Sequence, residues 1–319
     1  MWATAAEAWR YTHVLGSNVT RAHILERGCE ADGALLRCDP VFIFAGRGHT
    51  GSANLAAYLQ SHPQLDYGAT KEHRFFSRSR RPRDASAYRR QFPAVPSAGA
   101  PPWGFDATPE YGDRPKFRAT AKLIDEVVPN VKVILAIRSQ PDLLMSRQYL
   151  GDGAAFHAWT LAKAPAAGNP AASALATRWC HNDLVETYVA TFGRDRVLVL
   201  ESETLRNHRD GALAEIQAFL GVDAAPTPLP VMNVCKADRY VGNFEGCYNG
   251  TSKVLPETRA LWRPFFDQCN ADLEAFLGIR PGTLFDGKPK RPHVPAALLR
   301  RGHGAAPDHL RALRRGNDI

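Results

Sequence analysis

The amino-acid sequence predicts an α/β fold, with a single domain built on a mainly parallel central sheet flanked by helices. Three apolar runs have the composition of strands that are buried on both faces, namely Val41–Ala45, Val131–Ile137 and Val197–Leu200. Segments with apolar residues at helical spacing lie between and after these runs, as between Leu184 and Phe192. Strands that alternate with amphipathic helices are typical of a parallel sheet.

The composition divides the chain into three parts. Residues 1–39 are mixed and polar with little periodicity, and we expect an N-terminal extension. Residues 40–288 carry the three apolar runs and form the predicted domain, and residues 289–319 form a basic C-terminal tail. Arg78–Arg90 is a second basic segment, within a surface excursion rich in Arg, Pro, Ser and Ala.

Smaller elements are expected around the three apolar runs. We expect at most a short strand at Gln64–Tyr67, a short helix around Tyr88–Phe92, and a strand at Gly104–Tyr111 that runs into a proline turn. Further helices are predicted at Ala119–Val128, Pro141–Tyr149, Leu213–Leu220 and Leu261–Phe276. The Ala/Gly-rich segment Gly151–Pro170 is expected to be a loop or lid.

Composition and charge narrow the range of functions. Lys and Arg number 40 against 32 Asp and Glu, which gives a formal charge of +8 and suits an anionic ligand. No Cys or His spacing typical of a metal site occurs, and no apolar run is long enough to cross a membrane. We therefore expect neither a metal nor a membrane span in this chain, and no nucleic-acid partner.

The stretch Val41–Leu59, which reads VFIFAGRGHTGSANLAAYL, holds the main functional signal. A buried strand is followed by Gly46, Gly48 and Gly51, and then by apolar residues at helical spacing. Glycines let the backbone approach an anion, and a helix start points unpaired N–H groups at it. The stretch therefore predicts a P-loop-like phosphate cradle.

One alternative is an NAD(P)-dependent oxidoreductase, because the three glycines fit G-x-G-x-x-G. Asp66 then lies at the spacing of the acidic residue that binds the cofactor's ribose. That residue should end a buried strand, whereas only Leu65 and Tyr67 are apolar there.

A second alternative is a P-loop kinase-like nucleotide-binding protein, since the loop also fits G-x-x-x-x-G. Ser52 and Ala53 occupy the positions where such proteins need Lys and a magnesium-binding Ser or Thr. Transfer from ATP would therefore lack two of its main parts.

Four motifs in order resemble the sulfotransferase family that uses 3′-phosphoadenosine 5′-phosphosulfate (PAPS), and most of all its carbohydrate, heparan sulfate-type, branch. They are Gly48–Ala53 for a basic-Gly-Thr-Thr loop, Lys71–Phe76 for Lys-Glu-x-His-Phe-Phe, Asp106–Tyr111 for Asp-x-Ser/Thr-Pro-x-Tyr, and Arg138 with Ser146. The resemblance runs from about residue 41 to residue 278. It implies in-line transfer of a sulfuryl group from PAPS to a hydroxyl or amine acceptor, most often on a carbohydrate.

The resemblance also implies which residues bind PAPS. These are Arg47, Gly48, His49, Thr50, Gly51, Ser52, Ala53, Lys71, Arg138, Ser146 and Lys253. Arg138 and Ser146 correspond to the family's clamp on the 3′-phosphate, and Lys253 to a loop that contacts the nucleotide.

Two residues are candidates for catalysis. Glu72 matches the family's general base for the acceptor hydroxyl. His49 stands where the family has a loop Lys or Arg beside the leaving phosphate, although histidine carries a full charge only when protonated. Arg47 is the alternative candidate for this position, and its positive charge is permanent.

The sequence gives weaker signals for the residues that bind the acceptor and for the cellular compartment. Asp106, Thr108 and Tyr111 are expected to bind the acceptor, a carbohydrate or a small molecule. Cys247 matches a cysteine that is often disulfide-bonded in that branch, with Cys235 as its expected partner. Sequons at residues 18 and 249 agree with the Golgi lumen or secretory pathway, with the cytoplasm as the alternative.

Overall fold

A computed structural model describes residues 12–14, 22–77, 84–148, 152–163, 178–226 and 254–290 of the chain. The strands are β1 (His13–Val14), β2 (Cys29–Asp32), β3 (Leu35–Cys38), β4 (Phe42–Gly46), β5 (Leu65–Asp66), β6 (Ala94–Val95), β7 (Trp103–Asp106), β8 (Lys132–Ile137) and β9 (Val197–Glu201). The helices are α1 (Ala22–Leu25), α2 (Ser52–Gln60), α3 (Ala85–Arg89), α4 (Phe117–Val127), α5 (Gln140–Arg147), α6 (Gly153–Lys163), α7 (Asn182–Phe192), α8 (Ser202–Asn207), α9 (Arg209–Leu220) and α10 (Pro256–Leu277). A 3₁₀ turn spans Pro109–Gly112.

The main sheet has six strands in the order β1-β9-β8-β4-β7-β5. Strands β9, β8, β4, β7 and β5 are all parallel to their neighbours, whereas β1 pairs with β9 in the antiparallel sense. The predicted α/β fold class with a mainly parallel sheet is therefore confirmed. The chain adds β5 and β7 on one side of β4 and then β8 and β9 on the other, so the direction of strand addition reverses at β4.

Both faces of the central strands are covered, because successive strand residues point to opposite faces. Phe42 and Phe44 belong to the core layer that contains α2 and α9, and Ile43 and Ala45 to the layer that contains α4 and α7. All residues of β4, β8 and β9 are buried, as the apolar runs predict.

Most smaller elements appear where the sequence predicts them, with one exception. A two-residue strand at Leu65–Asp66 and a short helix at Ala85–Arg89 are confirmed. The prediction of a loop or lid over Gly151–Pro170 is wrong for Gly153–Lys163, which forms helix α6. Four alanines in that helix explain the difference, because alanine has the highest helix propensity.

The segment expected as an N-terminal extension contributes to the fold. Strand β1 pairs with β9 at the edge of the main sheet. Strands β2, β3 and β6 form a separate three-stranded antiparallel sheet. The domain boundaries themselves stay predictions.

Two disulfide bonds, Cys29–Cys38 and Cys180–Cys269, lie among the described residues. The first joins neighbouring strands of the small sheet, and the second joins α10 to the segment before α7. The predicted Cys235–Cys247 pair and both sequons lie outside the described residues. None of the helices described here is long and apolar enough to span a membrane.

Candidate active site

The candidate site lies at the carboxyl edge of the parallel strands, where open α/β sheets bind ligands. The segments that follow β4, β7, β8 and β9 all begin at this edge because the strands are parallel. The Ser202 hydroxyl, just after β9, lies 2.7 Å from the Thr50 carbonyl oxygen and 2.9 Å from that of Ile137. It therefore links the ends of three strands around the glycine loop.

The glycine loop, Gly46–Gly51, leads from β4 into helix α2. Gly51 has φ 83° and stands at the N-cap of α2, in a left-handed conformation that glycine adopts without steric cost. Gly51 has no side chain that could cap the helix start, and among the described residues the N–H groups of Ser52 and Ala53 therefore remain available to an anion. The Thr50 hydroxyl donates instead to the Arg47 carbonyl at 2.7 Å.

His49, in the glycine loop, lies against both Arg138 and Ser146. Its Nδ1 is 2.9 Å from the Ser146 hydroxyl oxygen, and Arg138 Nη1 donates to its carbonyl oxygen at 2.8 Å. His49 has φ 71°, a conformation that is uncommon for a residue other than glycine and that clusters at functional sites. The structure thus brings His49, Arg138 and Ser146 together, as the sequence predicts.

The charge of His49 depends on its surroundings. Burial lowers the pKa of His49 below its usual value, and the positive charges of Arg147 and Arg138 lower it further. The imidazole is therefore mostly neutral at pH 7 in the free protein. A neutral histidine can donate a hydrogen bond but does not carry the charge that the leaving phosphate requires.

Arg47, the alternative cation, points away from the loop. Its side chain is buried, and it donates to the carbonyl oxygens of Arg178 at 2.7 Å and Cys180 at 3.0 Å. Burial lowers the pKa of Arg47 to about 10, so the guanidinium stays charged at neutral pH. Its position makes it an anchor between the loop and the segment before α7.

Lys71, Glu72 and Arg74 line a shallow, open cavity of about 320 Å³ together with Thr70. Lys71 Nζ is 2.6 Å from one oxygen of Glu72, and Arg74 Nη2 is 2.8 Å from the other. Burial by itself would raise the pKa of Glu72, but hydrogen bonds and charges from Lys71 and Arg74 outweigh it and lower that pKa. Glu72 is therefore an ionised carboxylate that faces open space.

Asp106, Thr108 and Tyr111 have no exposed surface. Asp106 Oδ2 accepts hydrogen bonds from the Tyr88 and Tyr111 hydroxyls, and Oδ1 accepts from the backbone N–H and hydroxyl of Thr108. None of these three side chains reaches the cavity surface, and their contact with the acceptor stays a prediction.

These buried groups hold the Lys71–Phe76 segment in place. Thr108 Oγ1 accepts from the Arg74 N–H at 3.1 Å, and the Tyr111 hydroxyl accepts from the Phe75 N–H at 2.9 Å. The Ala107 N–H also donates to the Lys71 carbonyl at 3.0 Å. The motif Asp106–Tyr111 thus acts on the cavity through the backbone that it supports.

Several residues near the loop were not predicted from the sequence. The Trp179 ring contacts two guanidinium groups, with Arg47 Cζ and Arg147 Cζ each 5.3 Å from its centroid. Arg147 is adjacent to Ser146 in the sequence, which is a usable signal. Trp179 is 128 residues after Gly51, the last residue of the loop, and no local pattern marks it.

Two buried ionisable residues, His181 and Glu203, contact the backbone just after β8. His181 Nε2 donates to the Arg138 carbonyl at 2.8 Å, and burial lowers the pKa of His181 to about 3. Glu203 Oε1 accepts from the Ser139 N–H at 3.1 Å, whereas its Oε2 has no partner among the described residues. Burial raises the pKa of Glu203 to about 7.

The geometry disfavours the dinucleotide alternative. Asp66 ends β5, which lies at the sheet edge and pairs with β7 rather than with β4. Its Oδ1 accepts hydrogen bonds from the Gly68 N–H and from Gln60 Nε2. A ribose-binding carboxylate should instead end the strand next to β4. Lys253, predicted to bind the nucleotide, lies outside the described residues.

No protein-family model matches the chain, and no curated protein matches its sequence. Solved structures match it in fold. One is a sulfotransferase from Alicyclobacillus acidocaldarius, with TM-score 0.48 and 20% identity, covering 75% of this chain and 96% of that one. The sulfotransferase domain from the curacin biosynthetic pathway has TM-score 0.42 and 14% identity, covering 71% and 97%. A mouse sulfotransferase complexed with PAP has TM-score 0.40 and 14% identity, covering 75% and 87%.

Proposed function

We propose that this protein is a sulfotransferase that moves the sulfuryl group of PAPS to a hydroxyl or amine of an acceptor. One observation carries the proposal. Arg138 and Ser146 lie 89 and 97 residues after His49 in sequence, and both contact it beside the start of α2. A helix start with an adjacent arginine and hydroxyl suits a ligand with two phosphate groups.

In this proposal the donor half of the site consists of Gly46–Ala53, Arg138 and Ser146. The open N–H groups of Ser52 and Ala53 bind the 5′-phosphosulfate. Arg138 and Ser146 bind the 3′-phosphate, because a guanidinium matches a phosphate dianion in shape and charge. PAPS supplies the activated sulfuryl group, and Lys253 is a further proposed contact to its nucleotide.

The acceptor half consists of Lys71, Glu72 and Arg74. Glu72 is ionised and lines an open cavity, as a general base for an acceptor hydroxyl must. Its two oxygens are held by Lys71 and Arg74, and its low pKa makes it a weak base in the free protein. If Lys71 turns to the donor phosphate, one oxygen of Glu72 is released and its basicity rises.

The proposed reaction is a single displacement. The acceptor oxygen or nitrogen forms a bond to sulfur while the bond from sulfur to the phosphate oxygen breaks, and the electron pair of that bond stays on the phosphate. Glu72 takes the acceptor's proton. Charge builds on the phosphate oxygen, so catalysis is mostly positioning and charge stabilisation.

The acceptor is proposed to be a carbohydrate, as in the branch that the sequence motifs resemble. The cavity beside Glu72 is open, which leaves room for an extended chain as well as for a small molecule. The two disulfide bonds also favour an oxidising compartment, such as the Golgi lumen or secretory pathway.

Binding and transfer assays test the proposal. Calorimetry should show micromolar or tighter binding of 3′-phosphoadenosine 5′-phosphate (PAP) and much weaker binding of NADP⁺ and ATP. Incubation with radiolabelled PAPS and a panel of sugars, phenols and amines should label at least one class. Tight binding of NADP⁺ without PAP binding would refute the proposal.

A further inference from the structure

The donor half needs a permanent positive charge, and neither predicted residue supplies one in the free protein. His49 is mostly neutral at pH 7 because of burial and neighbouring arginines, as its lowered pKa indicates. Arg47 is charged, but it donates to two backbone carbonyl groups away from the loop.

Arg147 lies directly against the glycine loop. It is the last residue of α5, next to Ser146 of the proposed 3′-phosphate clamp. Its Nη1 is 3.1 Å from the point where a Cβ atom on Gly48 would lie. The missing side chain of Gly48 therefore leaves room for this guanidinium beside the loop backbone.

The orientation of Arg147 is set by an aromatic ring and not by strong ion pairs. Its Cζ is 5.3 Å from the Trp179 ring centroid, within the range of a cation–π contact. Trp179 also contacts the guanidinium of the anchored Arg47. A guanidinium held over an aromatic ring can still bind another ligand through its N–H groups.

Most hydrogen-bond donors of Arg147 are unused. A guanidinium has five N–H donors. In the part of the chain that the structure describes, only Nη1 has a partner, Asp113 Oδ1, at a long 3.4 Å. The side chain is 30% exposed, so a ligand can reach it.

We propose that Arg147 is a catalytic residue that donates to the departing 5′-phosphate oxygen and offsets its charge. It would do so from α5, in place of the loop Lys or Arg of the resembled family. The inference rests on the proposed sulfuryl transfer. As the bond from sulfur to the phosphate oxygen breaks, that oxygen gains the electron pair. Arg147 stabilises it by hydrogen bonding without giving up a proton.

Steady-state kinetics of Arg147→Ala and Arg147→Lys test this role. We expect Arg147→Ala to lower kcat about 100-fold, the usual effect of losing one preorganised donor to a developing negative charge. PAP affinity should fall by about tenfold while the KM for PAPS changes little, because PAP carries the full charge that Arg147 offsets. Arg147→Lys should retain part of the rate, since lysine keeps the charge without the planar fork.

Asp113→Asn and added guanidinium separate catalysis from a structural role. Asp113→Asn removes the partner of Arg147 but keeps its guanidinium, so kcat should change by less than about threefold. Millimolar guanidinium chloride, far below denaturing concentrations, should restore at least about tenfold of the Arg147→Ala rate in a saturable way and leave the wild type unaffected.

The outcomes are distinguishable. A wild type that neither binds PAP nor transfers sulfate overturns the proposed function, and this inference with it. A wild type that transfers sulfate, combined with equal losses in Arg147→Ala and Asp113→Asn and no guanidinium rescue, overturns the inference alone. If Arg147→Ala lowers the thermal midpoint of unfolding, its loss of rate could reflect misfolding, and Arg147→Lys then decides. An Arg147→Lys variant with a native-like midpoint, wild-type kcat and wild-type PAP affinity would also refute the role.

Discussion

The donor half of the site is held by hydrogen bonds between segments that are distant in sequence, whereas the acceptor half is held by one buried carboxylate. Around the glycine loop, Arg138 donates to the His49 carbonyl, and Arg47 donates to carbonyls before α7. In the acceptor half, Asp106 accepts four hydrogen bonds, and two of the donors, the Thr108 and Tyr111 hydroxyls, in turn accept from backbone N–H groups of the Lys71–Phe76 segment. The buried motif Asp106–Tyr111 can therefore position the acceptor half without contacting the acceptor itself.

The substitution Glu72→Gln should have the largest effect, because it changes catalysis in the acceptor half and leaves PAP binding in the donor half intact. The glutamine keeps the shape of the side chain but removes its function as a base. We expect kcat to fall by about 10³-fold, within the usual range for general-base catalysis, with PAP affinity within about twofold of wild type. Glu110→Gln is the matched control, since Glu110 lies 3.9 Å from Arg74 but has no proposed catalytic role. A wild-type rate in Glu72→Gln would remove Glu72 from the mechanism.

The two disulfides should differ in their effect on the donor half. Replacing Cys180 and Cys269 with serine opens a link of 89 residues and should lower the free energy of unfolding by about 4 kcal/mol. PAP affinity should also fall, because the Cys180 carbonyl accepts from Arg47. Chemical denaturation and calorimetry measure the two effects.

The other disulfide provides the control for that experiment. Replacing Cys29 and Cys38 with serine opens a link of 9 residues and should lower the free energy of unfolding by about 2 to 3 kcal/mol. The pair lies in the small sheet, so PAP affinity should not change. Equal losses of PAP affinity in both double variants would contradict a specific link to the loop.

Asp106→Asn tests the support of the acceptor half. The asparagine NH₂ group cannot accept hydrogen bonds from the tyrosine hydroxyls, so stability should fall by about 3 kcal/mol. The folded fraction should bind PAP normally and transfer sulfate slowly. Tyr88→Phe removes only one hydrogen bond to Asp106 and should reduce stability by about 1 kcal/mol. A stable Asp106→Asn variant with full activity would show that the network is dispensable.

The smallest expected effect is on the pH dependence of the free energy of unfolding, because two buried groups change it in opposite directions. His181, with its folded pKa lowered to about 3, loses protons on folding, so its contribution to stability falls as pH drops below about 6.5. Glu203, with its folded pKa raised to about 7, takes up a proton on folding, so its contribution falls as pH rises above about 4.5. Between about pH 4.5 and 6.5 the two slopes oppose each other.

Single substitutions should reveal how each group by itself changes the free energy of unfolding with pH. Glu203→Gln keeps an acceptor for the Ser139 N–H, and its stability should rise with pH by about 1.4 kcal/mol per unit in that window relative to wild type. His181→Asn should show the opposite slope. Urea denaturation at several pH values measures both, and parallel pH profiles in the wild type and the two variants would contradict the burial of these charges.

The parts of the fold that depend on local pattern were predictable from the sequence. The apolar runs at β4, β8 and β9 are nearly continuous because these strands are buried on both faces. The N-terminal strand β1 was not predicted, since two residues that pair at a sheet edge leave no periodic signal. The helix α6 was not predictable in the same way, because a segment rich in both alanine and glycine has the composition of a loop as well as of a helix.

The candidate site was predictable where motif spacing carries information and not elsewhere. The meeting of Arg138, Ser146 and the loop follows from the motif order. The burial of Asp106 and the position of Trp179 depend on long-range packing, which leaves no mark on neighbouring residues. The anchoring of Arg47 was likewise invisible, because its acceptors are backbone carbonyls.

One backbone contact sets the spacing between the two halves. Gly112, at the end of the 3₁₀ turn that follows the Asp106 network, lies so close to β4 that a Cβ atom there would be 1.7 Å from the Gly46 carbonyl oxygen. This main-chain contact therefore limits how closely the turn after Asp106 can approach the glycine loop. A single methyl group at residue 112 would push that turn and the loop apart.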